Sequence, residues 1–332
     1  KFFYRFIMTV LVTGAAGFIG YFTSKALLDS GRRVIGVDNL NDYYDFSLKQ
    51  ARLKNLQGQD GFSFSQLDIA DRDAIHALFK ANPDINEIIH LAAQAGVRYS
   101  LINPYTYTRS NIEGHLVLLE AARHLDGLKH FVYASSSSVY GDSSEVPFYT
   151  ENPTDTPVSL YAATKKSMEM MSHAYAHLYR MPLTGLRFFT VYGPWGRPDM
   201  AYYSFTKKIL AGEAIPVFNN GEMRRDFTYI DDIVTGVLSC LDKPPSDEET
   251  PPCRIYNIGN NKSENLMDFI AEIEKALGKK AQIYFQPMQP GDVKETLANI
   301  DAMQNDFGFK PTTGIDVGIP HFVEWYKSFH RA

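Results

Sequence analysis

The chain of 332 residues has little cysteine, no basic excess and no long apolar run. Cys240 and Cys253 are its only cysteines and give neither a disulfide framework nor a metal spacing, which suits a reducing cytosol. Acidic residues outnumber basic ones, 38 to 33, for a net charge of −5, so no basic footprint for nucleic acid is present. No stretch has the length of a membrane span. Lys1–Ile7 is apolar with two basic residues, but a strand entering a glycine turn follows from Met8, without a separate cleavage segment. We read Met8 as the natural start, residues 1–7 as an upstream extension and the location as cytoplasmic. Asn261-Lys262-Ser263 fits a glycosylation sequon, which has meaning only in a secreted chain. What remains is an ordinary globular composition, 45% hydrophobic and 21% charged, in a chain long enough for one large domain and a smaller one.

Thr9-Val10-Leu11-Val12 is a short apolar strand candidate that runs into Gly14-Ala15-Ala16-Gly17-Phe18-Ile19-Gly20. A helical pattern follows to Leu28, and the next strand, Val34-Ile35-Gly36-Val37, ends in Asp38 and Asn39. Strand, glycine turn, helix, strand and acid is the order that binds a dinucleotide. Glycines let the backbone approach a pyrophosphate, and the helix start offers free N–H groups and a positive dipole end. A carboxylate at Asp38 accepts from the adenosine ribose and repels a 2′-phosphate, which favours NAD over NADP. The glycine spacing, G-x-x-G-x-x-G, differs from the commoner G-x-G-x-x-G.

The alternation continues through a strand at 62–67, a helix at 74–80, a strand at 87–91, a long helix over about 104–124 and a strand at 131–134. Ligands in such sheets lie beyond the strand C-termini, so Asp68, Ile69, Leu91, Ala92, Ala93 and Ser135 should line one crevice. Asp68 reads equally as an adenine contact or as a helix N-cap before Asp71–Ala74. The run Ser135-Ser136-Ser137-Ser138-Val139-Tyr140-Gly141 leaves the last of these strands at the ligand edge. About two dozen residues on come Tyr161 and Lys165, four apart and hence on one helix face. A phenol with a pKa of about 10 is ionised in roughly one molecule per thousand at pH 7. A neighbouring ammonium favours the phenolate, so the pair is a candidate general acid and base. Serine hydroxyls such as those of Ser136 and Ser138 would orient a substrate proton toward it. His173 and His177 share this helix at the same spacing, but no third ligand accompanies them and no metal is expected.

GAAGFIG, the SSSSVYG run and Tyr161-x3-Lys165 together resemble the extended short-chain dehydrogenase/reductases that act on nucleotide sugars, over essentially the whole chain from Met8. The run from Leu186 to Ala201, with Arg224–Asp232 and Pro290-Gly291-Asp292-Val293, narrows the resemblance to UDP-glucuronate 4-epimerases. That resemblance implies a Rossmann-type doubly wound parallel sheet with a smaller C-terminal substrate-binding domain. We expect residues 8–185 with about 228–258 to bind NAD, and about 186–227 with 259–330 to bind the nucleotide sugar. It implies that Tyr161 removes the C4 hydroxyl proton while the C4 hydride passes to NAD+. The 4-keto sugar then turns over and the hydride returns to its opposite face. Lys165 would keep Tyr161 ionised and hold the nicotinamide ribose. Related dehydratases carry an Asp-Glu pair, and UDP-xylose-forming decarboxylases a Glu, where this chain has Ser137 and Ser138, which disfavours both reactions. UDP-galactose 4-epimerases share the serine turn but lack the Trp195–Met200 run, which leaves neutral UDP-hexoses as the second substrate choice. For the uronate carboxylate, Ser136, Ser137, Ser138 and Thr190 are candidate donors. Arg197 is either a bidentate clamp or a surface arginine. Arg225 is assigned to the diphosphate, or to an ion pair with Asp226 or Asp231. Asp292 would accept from the uridine ribose or fix the Pro290-Gly291 turn. The helices near 104–124 and 159–180 resemble the pair that forms a four-helix dimer interface in this family, so a homodimer is expected.

Overall fold

The computed structural model describes residues 8–143, 145–289 and 291–331; the N-terminal extension and Pro290 lie outside the described residues. In chain order its first half comprises β1 (Thr9–Thr13), α1 (Phe18–Asp29), β2 (Arg33–Asp38), α2 (Phe46–Gln57), β3 (Phe62–Gln66), α3 (Arg72–Ala81) and β4 (Ile85–His90). Then come α4 (Pro104–Tyr107), α5 (Gly114–Ala122), β5 (His130–Ser136), α6 (Leu160–Tyr179), β6 (Leu183–Phe188) and β7 (Thr190–Tyr192). The remainder holds α7 (Ala201–Ala211), β8 (Ile215–Phe218), β9 (Arg224–Tyr229), α8 (Ile230–Leu241), β10 (Cys253–Ile258), β11 (Ser263–Asn265), α9 (Leu266–Leu277), β12 (Ile283–Gln286), α10 (Asp301–Phe307) and α11 (Ile315–His330).

Seven strands form one parallel sheet in the order β10-β6-β5-β4-β1-β2-β3. The inner strands β1 and β2 are near-continuous apolar runs because both faces are covered, while the edge strand β3 alternates with serines and is partly exposed. Along β1, Val10 and Val12 join one buried cluster while Leu11 joins the other, so alternate residues serve opposite faces. Full burial of each such side chain is worth about 1.5–3 kcal/mol. The winding reverses between β1 and β4, and that reversal opens the crevice beyond the strand C-termini. Two small sheets, β11-β9-β7 and β12-β8, carry the C-terminal segments that face it.

Three local features differ from the sequence reading. The expected long helix is interrupted by a π-helical turn, Thr108–Glu113, between α4 and α5. The segment 192–230 is less loop-rich than its prolines suggest, since it holds α7, which buries Tyr202, Tyr203, Phe205 and Ile209, and β8. Helix α2 has no legible amphipathic pattern because its inner face includes Lys49 and Arg52.

Candidate active site

The glycine turn is shaped by what it touches. Gly14 has φ +74°, and a Cβ on it would lie 2.8 Å from the Ala92 amide nitrogen. A Cβ on Gly20 would sit 2.0 Å from the Gly14 carbonyl oxygen. Gly17 caps α1 with no side-chain acceptor, so the first-turn N–H groups that follow are left for an anion. Phe18 packs inward and Ile19 is half-buried. Asp38 is braced to this turn: its Oδ2 accepts from Ala16 N at 3.2 Å and its Oδ1 from Leu40 N at 2.8 Å. Asn39 is exposed beside it. This cradle, closed to any side chain and flanked by a fixed carboxylate, fits a dinucleotide.

Asp68 is not a helix cap. Asp71 caps α3, while Asp68 accepts from Ala70 N at 2.9 Å and pairs with Arg109 Nη2 at 3.0 Å. Ile69 is buried against Gly114, and Leu91, Ala92 and Ala93 are half-buried at the end of β4. Ser135 corrects an expectation: it is 2% exposed and its hydroxyl donates to Glu169 Oε1 at 2.6 Å, not into the crevice.

Helix α6 begins on Ser159, whose Oγ accepts from Ala162 N at 3.1 Å, and this cap sets Tyr161 in the first turn. The Tyr161 ring lies edge-on to Tyr107, centroids 6.0 Å apart. Lys165 is buried one turn along, and its ammonium donates to the Ala134 carbonyl at 2.7 Å. Burial pushes Lys165 down to about 7, with Glu169 opposing. The Tyr161 phenol is pushed up by burial, with smaller opposing effects from the Ser136 hydroxyl and the Arg197 guanidinium. The sequence expectation that Lys165 lowers the Tyr161 pKa is therefore corrected: desolvation wins, and the lysine reaches toward β5. Ser136 also accepts from Ser138 N at 3.2 Å and donates to Ser138 Oγ at 3.1 Å, which rigidifies the turn Ser137–Tyr140.

Ser137, Ser138, Thr190, Arg225 and Asp292 converge on one cleft, although they are spread over more than 150 residues of chain. Arg225 is paired with neither Asp226 nor Asp231; its Nη2 donates to Asp292 Oδ1 at 2.7 Å and to the Val293 carbonyl at 2.6 Å. Arg98 approaches the other Asp292 oxygen at 3.5 Å. Arg197 is not a surface arginine, but its fork is closed on Asp199, with Nε–Oδ1 at 3.0 Å and Nη2–Oδ2 at 2.5 Å. The open bidentate clamp expected from the sequence is thus already filled by a carboxylate from its own loop.

The sequence profile of the NAD dependent epimerase/dehydratase family matches residues 10–259. The chain belongs to that family. A probable UDP-glucuronate 4-epimerase of Rhizobium meliloti is 45% identical over 338 residues, covering 98% of both chains. UDP-glucuronate 4-epimerase 4 of Arabidopsis thaliana is 48% identical over 334 residues, covering 97% of this chain and 76% of the plant protein. The crystal structure of the Bacillus cereus UDP-glucuronic acid 4-epimerase in complex with UDP-glucuronic acid and NAD superposes with a TM-score of 0.89 at 35% identity, covering 97% of this chain and all of that one.

Two polar groups in this epimerase/dehydratase family chain escaped the sequence reading. Asn111, inside the π-helical turn, donates to the Gln94 carbonyl and to Thr164 Oγ1, both at 3.0 Å, and accepts from Gln94 N at 2.8 Å. It ties the segment after β4 to α6, and π turns recur at functional sites. Arg98 was equally silent. Asparagines and arginines carry no periodic signal, and only the fold brings Asn111 to α6 and Arg98 to Asp292 of the cleft.

Proposed function

We propose that the chain is a UDP-glucuronate 4-epimerase, interconverting UDP-glucuronate and UDP-galacturonate through a 4-keto intermediate. The observation that carries this reading is the single cleft joining Ser137, Ser138 and Thr190 to Arg225 and Asp292, next to the turn whose Ser136 faces Tyr161. NAD+ bound on the glycine turn supplies the hydride acceptor. Tyr161 takes the C4 hydroxyl proton and later returns it. The Ser136 hydroxyl and the Arg197 guanidinium both favour the phenolate form. Lys165 helps to hold the nicotinamide ribose.

The 4-keto form of a uronate is a β-keto acid, which loses CO2 when the bond to its carboxylate aligns with the carbonyl π system. Hydroxyls of Ser137, Ser138 and Thr190 on rigid turns hold the carboxylate out of that alignment. Serine at 137 and 138 leaves no carboxylic acid there to eliminate water. The Arg225–Asp292 pair serves the uridine diphosphate, with Arg225 toward the phosphates and Asp292 toward the ribose. The nucleotide-sugar side draws chiefly on residues 186–227 and 259–330 and the NAD side on 8–185 with 228–258, with Ser137 and Ser138 reaching the sugar from the NAD side and residues 186–188 completing β6 of the main sheet. The enzyme works in the cytoplasm as a homodimer, and exposed apolar side chains around α4 and on α6 support that assembly.

The test is product analysis by NMR with UDP-glucuronate, UDP-glucose and dTDP-glucose, each in turn. UDP-galacturonate signals from the first, without a UDP-pentose, are the expected result. A 4-keto-6-deoxy sugar from the third would overturn the reading. Tyr161→Phe should still bind NAD while turnover falls by about 10²- to 10⁴-fold, as for loss of a general acid/base.

A further inference from the structure

Glu169 and Arg187 form an ion pair that the chemistry above does not use. Glu169 is one turn beyond Lys165 and two beyond Tyr161, on the same stripe of α6. It is 5% exposed and Arg187 is 4% exposed. The pair is bidentate, Nε to Oε1 and Nη2 to Oε2, both at 2.9 Å. Oε1 also accepts from Ser135 Oγ at 2.6 Å, while the preceding residue, Ala134, accepts from Lys165 Nζ at 2.7 Å. Two consecutive residues of β5 thus grip two residues of α6 a turn apart.

The network reaches the serine turn as well. Arg187 Nη1 donates to Tyr140 Oη and to the Thr150 carbonyl, each at 3.0 Å. Tyr140 closes the turn Ser137–Tyr140 and donates to Asn257 Oδ1 at 2.6 Å. A buried ion pair is seldom the most stabilising filling for its volume, so its geometry is the informative property.

We propose that Glu169 is a positioning residue for the Tyr161–Lys165 pair, locking α6 through Ser135 and Arg187 against the strand end and turn that carry Ser136, Ser137 and Ser138. This rests on the epimerase reading above. Glu169 also bears on the charge of Lys165. The charged and titratable groups that act on that ammonium are Glu169 on α6, His90 from β4 and His115 from α5, while Arg187 from β6 is spent on Glu169. Burial holds both histidines well below their usual range, so they stay neutral at pH 7. Glu169 is then the group that favours the ammonium.

Three variants of the NAD-loaded enzyme test this. Glu169→Gln removes the charge. Glu169→Gln/Arg187→Gln replaces the ion pair with an amide pair, so that Arg187 is not left as a buried charge without its carboxylate. Ser135→Ala cuts only the link to the strand. We expect kcat to fall by about tenfold or more in the first two and by less in Ser135→Ala, with KM for UDP-glucuronate within about twofold, because displacement of an acid/base group acts on the chemical step. In both Glu169 variants the acid limb of the kcat–pH profile should move up by about half a unit, as a displaced Tyr161 loses the Ser136 hydroxyl and Arg197 guanidinium that favour its phenolate. Folded double and Ser135→Ala variants with wild-type kcat and pH profile would overturn the proposal, whatever their Tm. A wild type inactive on UDP-glucuronate would refute the epimerase reading instead. The positioning claim is then decided by a ¹³Cζ-tyrosine NMR titration with NAD bound, Tyr161→Phe identifying the signal. An upward shift of the Tyr161 midpoint in the folded double variant supports it, and an unmoved midpoint refutes it.

Discussion

At the scale of single residues, spacing put Tyr161 and Lys165 on one helix face but said nothing of their charge. Tyr161 and Lys165 were legible because four residues make one helical turn. Their surroundings were not, because burial depends on elements distant in the chain. Lys165 is pushed down to about 7 from an ordinary value of 10.5, chiefly by burial. Its folded pKa is thus below its unfolded one, so between pH 7 and 10.5 the unfolded chain binds more protons and stability rises with pH. At about 1.4 kcal/mol per pKa unit the full effect is at most about 5 kcal/mol. We expect wild type to gain stability relative to Lys165→Met as pH rises from 7 to 10, read from urea unfolding of both proteins. A difference independent of pH would show that Lys165 keeps its charge in the fold.

At the scale of elements, strands with apolar runs and turns with glycine were readable, and polar-faced elements were not. β1, β2 and their glycine turn announce themselves. α2 hides behind Lys49 and Arg52, and the π turn behind Asn111, because each buries a polar group whose partner is supplied from elsewhere. β9 shows how such partners hold the second lobe. Asp226 is wholly buried. Its Oδ1 accepts from Asn260 N at 2.6 Å and Thr228 Oγ1 at 3.2 Å, and its Oδ2 from Asn261 N at 3.1 Å and Ala298 N at 3.0 Å. Burial pushes its carboxyl up to about 6 despite these donors, so it is ionised at pH 7.5. Asp226→Asn would turn an NH2 group onto backbone N–H donors. We expect a loss of about 2–4 kcal/mol in urea unfolding at pH 7.5, the cost of unsatisfied buried donors. A loss below about 0.5 kcal/mol, the range of neutral surface changes, would mean that those segments hold without the carboxylate.

At the scale of the molecule, large apolar side chains are left on the surface. Ile102 is 77% exposed, Tyr105 83%, Met170 59% and Leu178 65%, large apolar side chains clustered around α4 and along α6. If they are buried between two copies, the protein sediments at twice the chain mass at micromolar concentration, and Ile102→Lys/Met170→Lys sediments as a monomer. A wild type that sediments as a monomer would sink the dimer. The amino-acid order alone determined the doubly wound sheet, the dinucleotide turn, the preference for NAD and the Tyr161–Lys165 pair, since each rests on residues within a few turns or one βαβ unit of each other. Tertiary structure decided that Ser135 serves Glu169, that Arg197 is closed on Asp199, that Arg225 pairs with Asp292, and that burial pushes the Tyr161 phenol up. Those outcomes depend on which polar groups meet in low dielectric across long stretches of chain, a property of packing that no local pattern encodes.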